Sequence, residues 1–255
     1  GTPACWRGKL NPAEYDRMFA LEEHYWWFVG RRHLALNLVA AFRTDASPGR
    51  ILDVGCGTGI VLSELNRLGE AVGLDFSDRA LAYSHRRRLP RLVRGDGTVL
   101  PFSANLFDAV VGLDIFEHIE DDEAAFREAF RVLKPGGVLV LSVPAFPSLW
   151  GPHDVALHHF RRYRRTPLQN KLRHAGFQIE ICSHYVFLLF PVVVGIRILE
   201  KLRPGPAHAS LPKAPGVLNE LLIGLQGFEA KLIYRRRWSL PWGSSLVVVA
   251  RKPNV

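Results

Sequence analysis

The chain has 255 residues, 48% of them hydrophobic, and a formal net charge of +9 at pH 7. This length and apolar content predict one domain with an elaboration and argue against two independent domains. The three cysteines are scattered without C-x-x-C spacing, which argues against a disulfide framework or a zinc motif and favours a reducing cytoplasm. The positive charge is compatible with a nucleic acid or an anionic membrane and does not choose between them.

Strand and helix signals alternate between residues 50 and 184, which is typical of a parallel α/β sheet covered on both faces. We expect an N-terminal helical cap (1–49), this α/β core (50–184), a helical insertion (185–244) and a final strand (245–255), which should be antiparallel. The predicted strands are Ile51–Val54, Glu70–Leu74, Arg91–Arg94, Ala109–Leu113, Val138–Val143, Gln178–His184 and Ser245–Ala250.

Three helix starts are indicated by capping residues. Ser77 precedes a helical run, an acidic run begins at Asp121, and Thr166 opens a capping box with proline at the first helical position. Another helix is predicted over residues 60–68, directly after a glycine-rich loop.

That loop, D-V-G-C-G-T-G, covers residues 53–59 and follows the first predicted strand. Its glycines lack Cβ, so the backbone can turn sharply and approach a ligand, and the following helix offers free N–H donors. The dinucleotide fingerprint fails because Ile60 stands where Gly or Ala is needed, and a P-loop fails because no Lys follows the glycines. Asp53 instead suits a ligand with a cationic amine.

The pattern D-x-G-x-G-x-G resembles the first motif of the class I S-adenosylmethionine (SAM) methyltransferases. The stretches A-V-G-L-D-F-S, R-G-D-G-T-V-L-P-F, F-D-A-V-V-G-L-D-I-F-E-H-I and L-K-P-G-G follow in the order and spacing of that family. The resemblance covers residues 50–184 and the final strand. It implies a Rossmann-like class I methyltransferase fold with a seven-stranded, mostly parallel sheet, and SAM as the cofactor, converted to S-adenosyl-L-homocysteine.

Acidic residues end the second, third and fourth predicted strands. Asp75 is placed to accept from both ribose hydroxyls, and the resemblance implies that Asp96 accepts from the adenine amino group. Asp114 stands with Glu117 and His118 at the carboxyl edge of the sheet, where open α/β folds bind ligands. The cofactor-binding residues so implied are Asp53, Gly55, Cys56, Gly57, Gly59, Asp75, Phe76, Asp96, Gly97 and Asp114.

The flanks, with W-W-F-V-G-R-R in residues 15–32 and H-D-V-A-L-H-H-F-R-R-Y in residues 149–177, are similar to a bacterial subgroup of the type 11 methyltransferases. The aromatic run before the core either anchors a helix on the sheet or walls the methionine end of the cofactor. We expect a mixture, in which Tyr25 and Trp27 line the acceptor pocket and Arg31 or Arg32 lies near a carboxylate.

The segment after the fifth strand supplies the candidate bases. His153 or His159 is expected to act as general base, unless the segment is only a surface loop. Arg161 or Arg162 would anchor an anionic or hydroxyl-rich substrate. The histidine spacing matches no zinc signature, so no metal is predicted. The catalytic candidates are His153, His159, His118 and Tyr163. Of these, His118 lies beside a strand end and could instead only brace its loop.

The sulfonium makes the methyl group electrophilic, so the enzyme need mainly align a nucleophile and exclude water. Cys56 belongs to the cofactor loop, and no cysteine is placed as a covalent nucleophile, so we expect direct in-line transfer. The acceptor is expected to be an O or N atom of a small-molecule or lipid-linked compound. Two alternatives stay open: an RNA methyltransferase, although no RNA module or N-P-P-Y-like tetrad is present, and a non-catalytic SAM-binding subunit.

The insertion contains apolar runs at 185–196 and 221–233, which fall short of the ~20 residues needed to span a bilayer. Its basic and tryptophan residues favour an interfacial helix at an anionic membrane. A cap on the core or on a second subunit is the alternative. We therefore expect a cytoplasmic protein, monomer or homodimer, with peripheral association at the inner membrane face as an option. The flanking residues are Arg197, Lys201, Arg203, Arg235–Arg237, Trp238 and Trp242.

Overall fold

The computed structural model describes residues 11–43, 49–202 and 214–254. In this part of the chain, seven strands form one sheet in the order β3-β2-β1-β4-β5-β7-β6. All neighbours pair in parallel except β7, which is antiparallel to both β5 and β6. The predicted seven-stranded, mostly parallel sheet is therefore confirmed. The strands are β1 (Arg50–Val54), β2 (Glu70–Asp75), β3 (Leu92–Arg94), β4 (Phe107–Leu113), β5 (Leu133–Pro144), β6 (Gln178–Tyr185) and β7 (Ser245–Arg251).

Helices cover both faces of the sheet because its central strands are apolar on both sides, as parallel strands in α/β folds usually are. Each face has its own hydrophobic cluster; α5 and α7 contribute to one, and α2, α3 and α9 to the other. The helices are α1 (Pro12–Leu21), α2 (Trp26–Phe42), α3 (Ile60–Leu65), α4 (Asp78–Arg86), α5 (Asp122–Val132), α6 (Pro152–Ala156), α7 (Arg165–His174), α8 (Phe190–Leu202) and α9 (Gly216–Arg236).

The two helices between β6 and β7 have different environments. Helix α9 packs against α2 so closely that a Cβ on Gly30 would overlap the Gln226 side chain. It also buries Ala230 and Ile233 in the core. Helix α8 has no buried residue among its described side chains and exposes Val192 and Leu199. The insertion is thus part core and part exposed apolar surface.

Some of the predicted helix starts and ends agree with the structure and others do not. Ser77 and Asp121 do cap their helices, each accepting from a backbone N–H three residues ahead. The capping box at Thr166 is wrong, because α7 begins at Arg165, two residues earlier than predicted, and its N-cap residue Arg164 makes no side-chain cap bond. The helix predicted over 60–68 ends at Leu65, since the chain turns sharply before β2.

The resemblance implies that the L-K-P-G-G segment is a turn leading into the fifth strand. It instead forms the start of β5, because Leu133 pairs with Phe107 of β4 across a bulge. No helix in the described part of the chain is long and apolar enough to cross a bilayer. Cys5 and Arg203 lie outside the described residues, and the side chain of Lys201 is likewise not described.

Candidate active site

The glycine-rich loop between β1 and α3 has the open conformation that its composition predicts. Gly55, Gly57 and Gly59 have φ values of +71°, +55° and +88°, a region that disfavours side chains. The N–H groups of Gly55 and Cys56 both bond to the Leu74 carbonyl at 2.7 and 3.0 Å, which fixes the loop to β2. Burial raises the pKa of the Cys56 thiol well above its usual value, so this side chain is neutral packing.

Asp53 is the last residue but one of β1, lies behind this loop and is 2% exposed. Its Oδ2 atom has no hydrogen-bond partner among the described residues. Burial, helped by the nearby charge of Asp75 and opposed by Arg31, raises the pKa of Asp53 to about 8. A buried carboxylate without a partner is costly. The arrangement therefore suits a cation supplied by a ligand, such as the amino group of SAM.

Asp75 ends β2 on the other side of the loop. Its Oδ2 accepts from the Gly57 N–H at 2.9 Å, and its Oδ1 accepts from the Ser77 N–H at 2.8 Å. Burial raises the pKa of Asp75, and these backbone donors oppose that effect. The carboxylate is therefore held at the sheet edge beside the loop. Phe76, also predicted to contact the cofactor, follows it directly.

The loop after β3 brings Asp96 and Gly97 to the same side of the sheet. The Oδ1 of Asp96 accepts from both the N–H and the hydroxyl of Thr98 at 2.8 Å. Gly97 is buried, and a Cβ there would lie 3.2 Å from Ile119. The side chain of Asp96 is thus oriented by its own turn, with its second oxygen available for adenine.

Asp114 follows β4 with a φ of +51° and forms an ion pair with Arg31 of α2. Its Oδ1 also accepts from the Ser142 hydroxyl at 2.9 Å. Of the two arginines expected near a carboxylate, Arg31 pairs with Asp114 and Arg32 pairs with Glu64 at 2.9 Å. Beside this pair lies a small cleft whose walls come from α2, β5, β6 and β7. The lining residues are Trp27, Arg31, Ser142, Tyr185 and Ser245.

Three other residues predicted to bind substrate are engaged by the protein itself. Tyr25 stands at the N-cap of α2, 6% exposed, with its ring packed against Trp26 and Phe28. Arg161 pairs with Asp122 at 3.0 Å, and Arg162 is buried against Asp154 at 2.8 Å.

The candidate bases cluster at the carboxyl edge of β4 and β5. His159 Nδ1 lies 2.9 Å from Asp154 Oδ1, an Asp–His pair that leaves the other ring nitrogen for chemistry. The ring centroids of His118 and His153 lie 4.6 and 6.3 Å from that of His159. Burial lowers the pKa of His118 to about 3 and that of His153 to about 4, which makes both weak bases.

The carboxylate of Asp154 is held in its ionised form by its surroundings. Burial acts to raise its pKa, but the hydrogen bond from His159 and the charge of Arg162 outweigh burial, so the pKa of Asp154 is well below its usual value. Its Oδ2 also accepts from the Gly151 N–H at 2.9 Å. An ionised carboxylate can only accept, so Nδ1 of His159 carries the proton.

Tyr163, the remaining catalytic candidate, is 4% exposed. Its hydroxyl is 3.1 Å from the Phe116 carbonyl and 2.8 Å from Asp122 Oδ2. Burial raises the pKa of Tyr163 well above its usual value. This geometry favours bracing of the loop after β4.

The sequence reasoning did not single out Ser142, Tyr185 and Ser245 of the cleft. Tyr185 and Ser245 are register partners on β6 and β7. Strand pairing was the signal that could have found them, because the last residue of β6 and the first of β7 meet at the sheet edge. The sequence analysis also did not predict that Asp154 is the hydrogen-bond partner of His159.

Residues 52–141 match the family model of a methyltransferase domain. The chain is 33% identical over 166 residues to a probable S-adenosylmethionine-dependent methyltransferase of Mycolicibacterium smegmatis, covering 62% of each chain. It is 37% identical over 129 residues to demethylmenaquinone methyltransferase of Mycolicibacterium paratuberculosis, covering 50% of this chain and 51% of that one. The chain thus matches between half and two thirds of the length of these two relatives.

A match of greater extent is to ubiquinone biosynthesis O-methyltransferase of Xanthomonas oryzae, 30% identical over 207 residues, or 71% of this chain and 86% of that one. The fold is shared with phosphoethanolamine N-methyltransferase 2 of Haemonchus contortus, solved in complex with SAM. That likeness has a TM-score of 0.59 at 18% identity and covers 97% of this chain and 61% of that one. The chain belongs to the class I SAM-dependent methyltransferases of the type 11 kind, whose cofactor is SAM.

Proposed function

We propose that the protein transfers the methyl group of SAM, by direct in-line displacement, to an oxygen or nitrogen atom of a small-molecule or lipid-linked acceptor. The observation that carries this proposal is the position of Arg31, which pairs with Asp114 after β4 and lines the cleft beside Trp27. Its charge also acts to lower the pKa of Asp53 behind the cofactor loop and of Glu117 beside the histidine cluster. Cofactor residues and candidate acceptor residues therefore share one electrostatic site. Alignment there and exclusion of water supply most of the rate enhancement.

Within this site, His159 is the best-placed proton acceptor for a hydroxyl or ammonium substrate. Its hydrogen bond to Asp154 orients the ring and stabilises the imidazolium that would form. His153 and His118 are less suited because burial depresses the pKa of each. Arg161 and Arg162 act in this proposal by holding the loop, since both are engaged with carboxylates of the protein.

A lipid-linked acceptor is supported by an open apolar groove between α9 and the segments that flank β6 and β7. One wall of the groove is linked to the cleft along the chain, because Phe187 and Leu188 come just after Tyr185 of the cleft. Two of the matched relatives are named for demethylmenaquinone and for ubiquinone biosynthesis, so an isoprenoid chain is a fitting occupant. The groove residues are Phe187, Leu188, Phe228, Glu229, Leu232, Arg237, Trp238, Ser239, Leu240 and Pro241.

The acceptor class can be tested by supplying methyl-tritiated SAM together with three bacterial extracts: total lipid, aqueous metabolites and total RNA. We expect label in the lipid or metabolite fraction, and at least a tenfold loss of rate in His159→Ala with SAM affinity retained. His24→Ala, an exposed histidine on the N-terminal cap, is the control. Label in RNA would make this an RNA methyltransferase, and SAM binding without transfer to any fraction would make it a non-catalytic subunit.

We also infer that α8, α9 and the segment after α9 bind an anionic membrane surface. Trp238 and Trp242 are 57% and 48% exposed, next to the exposed basic run Arg235–Arg237. Amphipathic aromatic rings and basic residues are the usual anchors of peripheral proteins, and each basic residue near such a surface adds about 1 kcal/mol. The exposed apolar side chains of this surface are Leu188, Val192, Ile196, Ile198, Leu199, Val217, Leu218, Leu221 and Phe228.

Sedimentation with vesicles of phosphatidylglycerol and phosphatidylcholine tests this inference. We expect binding that weakens as salt rises, and a loss on replacing Arg235 and Arg236 by Ser. The matched control replaces Arg91 and Arg94 by Ser, which removes the same charge at the opposite edge of the sheet, beside β3. Equal binding by both double variants, or none by the wild type at low salt, would leave the insertion as a cap on the core or on a second subunit.

A further inference from the structure

Three side chains with metal-binding atoms converge beside the acceptor site. Glu117 and His118 lie on the short 3-10 helix after β4, and His159 lies on the loop after α6. One ligand atom from each lies within 4.8 Å of the other two. The donors are two imidazole nitrogens and one carboxylate oxygen, a set that binds divalent transition metals.

His159 is oriented as metal ligands usually are, because its Nδ1 atom bonds to Asp154 at 2.9 Å. The ring of His118 packs edge-on against that of His159, with the two centroids 4.6 Å apart. Asp154 is held in turn by Arg162 and by the Gly151 N–H. The imidazole of His159 therefore keeps Nε2 for a ligand in a fixed direction, beside the ring of His118.

Glu117 supplies the independent observation. It is 1% exposed, and its Oε2 has no hydrogen-bond partner among the described residues. Buried carboxylates are normally paired or bound to a metal, because an uncompensated charge is costly. The two nearest cationic side chains, Arg31 and Arg162, are committed to Asp114 and Asp154. The Glu117 oxygen thus has no direct hydrogen-bond or ion-pair partner among the described residues, although the charges of both arginines act on it.

The two ligand segments are joined by the backbone as well. The N–H of Phe160 donates to the Glu117 carbonyl at 2.7 Å, so the residue after His159 is fixed to the residue before His118. This hydrogen bond holds the two segments together in space, although the spacing of the ligands along the sequence matches no zinc motif. The three ligands come from segments about forty residues apart, which only the fold brings together.

We propose that Glu117, His118 and His159 bind a divalent transition-metal ion such as Zn²⁺, with an open coordination position for the acceptor's oxygen. The binding site stands by itself, whereas this role rests on the proposed methyl transfer. A bound metal would lower the pKa of an acceptor hydroxyl, whose proton leaves to water. The oxygen then forms the bond to the methyl carbon while the carbon–sulfur bond breaks and its electron pair stays on sulfur. His159 would act through the metal instead of as the base.

The test is calorimetric titration of the full chain, freed of metal with EDTA, with ZnCl₂. We expect one high-affinity site, weakened at least tenfold in Glu117→Gln and in His159→Gln, with His24→Gln as the matched control. Co²⁺ in place of Zn²⁺ should give visible absorption bands in the wild type that are lost in the same two variants. No tight site in the wild type, or an unchanged site in Glu117→Gln, would overturn the proposal.

SAM titrations of the same samples separate this proposal from the proposed function. Variants that bind SAM as the wild type does are folded, so their loss of Zn²⁺ reports the site. Should a variant fail to bind SAM, the wild-type Co²⁺ spectrum decides, since imidazole coordination is visible without mutation. A wild type that transfers methyl groups after EDTA treatment at full rate would remove the metal's role and leave His159 as the base.

Discussion

The buried carboxylate of Asp53 should make the stability of the protein depend on pH. Its carboxylate is almost fully enclosed, and burial raises its pKa to about 8. Between its unfolded pKa near 4 and this value, the folded chain keeps a proton that the unfolded chain has released. The ligand-free protein should therefore lose stability as pH rises through this window, by up to about 1.4 kcal/mol per pH unit.

Asp53→Asn removes this ionisation, so its stability should gain on that of the wild type between pH 5 and pH 8, while SAM affinity falls at least tenfold. Denaturant midpoints of the ligand-free proteins across this pH range check the first part. Asp78→Asn, a change at an exposed carboxylate at the start of α4, is the control. Parallel pH curves for wild type and Asp53→Asn would mean that the folded protein already compensates the negative charge of the ionised carboxylate, so that its pKa is not raised.

For single residues, the sequence predicted their place in the fold better than it predicted their side-chain contacts. Asp75 and Asp114 were expected at strand ends because the alternation of apolar runs and acidic residues is local. Arg31 or Arg32 was expected near a carboxylate, but neither the pairing of Arg31 with Asp114 nor that of His159 with Asp154 was expected. Such contacts depend on loop conformations, here with His158 at a φ of +56°, that no periodicity specifies.

Among the elements, α1 bears most directly on the cofactor loop. A Cβ on Gly57 would lie 3.4 Å from the Met18 methyl, so this helix covers the loop. Just after the helix, Glu22 is 2% exposed, accepts from the Thr58 hydroxyl at 2.5 Å and pairs with Arg87 at 2.8 Å. The cap is thus tied both to the loop and to the end of α4.

Arg87→Ala should leave Glu22 buried without its counter-charge and lower the free energy of unfolding by about 2 kcal/mol, with weaker SAM binding. The matched control is Arg79→Ala, because Arg79 also ties α1 to α4, through Asp16, but in an exposed ion pair. Exposed pairs contribute little. Chemical denaturation and SAM titration of both variants check this, and equal effects would show that the cap is not held by the buried pair.

Element boundaries followed the sequence where their determinants are local. Ser77 and Asp121 cap their helices because a side chain and a nearby N–H suffice. Helix α7 starts earlier than Thr166 suggested, beside a tertiary contact: the Arg165 guanidinium bonds to the Leu240 carbonyl at 2.7 Å. A capping pattern carries no information about such distant partners.

For the molecule as a whole, the sheet was predictable and the insertion was not. Alternating apolar runs and helical segments require a parallel sheet with two covered faces. The burial of α9 depends instead on a contact between Gly30 and Gln226, almost 200 residues apart. Its hydrophobic residues alone were equally compatible with a membrane, a second subunit or the core.

The central claim is that the sheet edge formed by β1, β2 and β4 binds SAM, and calorimetric titration of the purified chain tests it most directly. We expect SAM to bind with a micromolar dissociation constant, NAD to give no heat, and Asp75→Ala to weaken SAM at least tenfold because the ribose loses its acceptor. Absence of heat with SAM, or an unchanged affinity in a folded Asp75→Ala variant, would contradict the account.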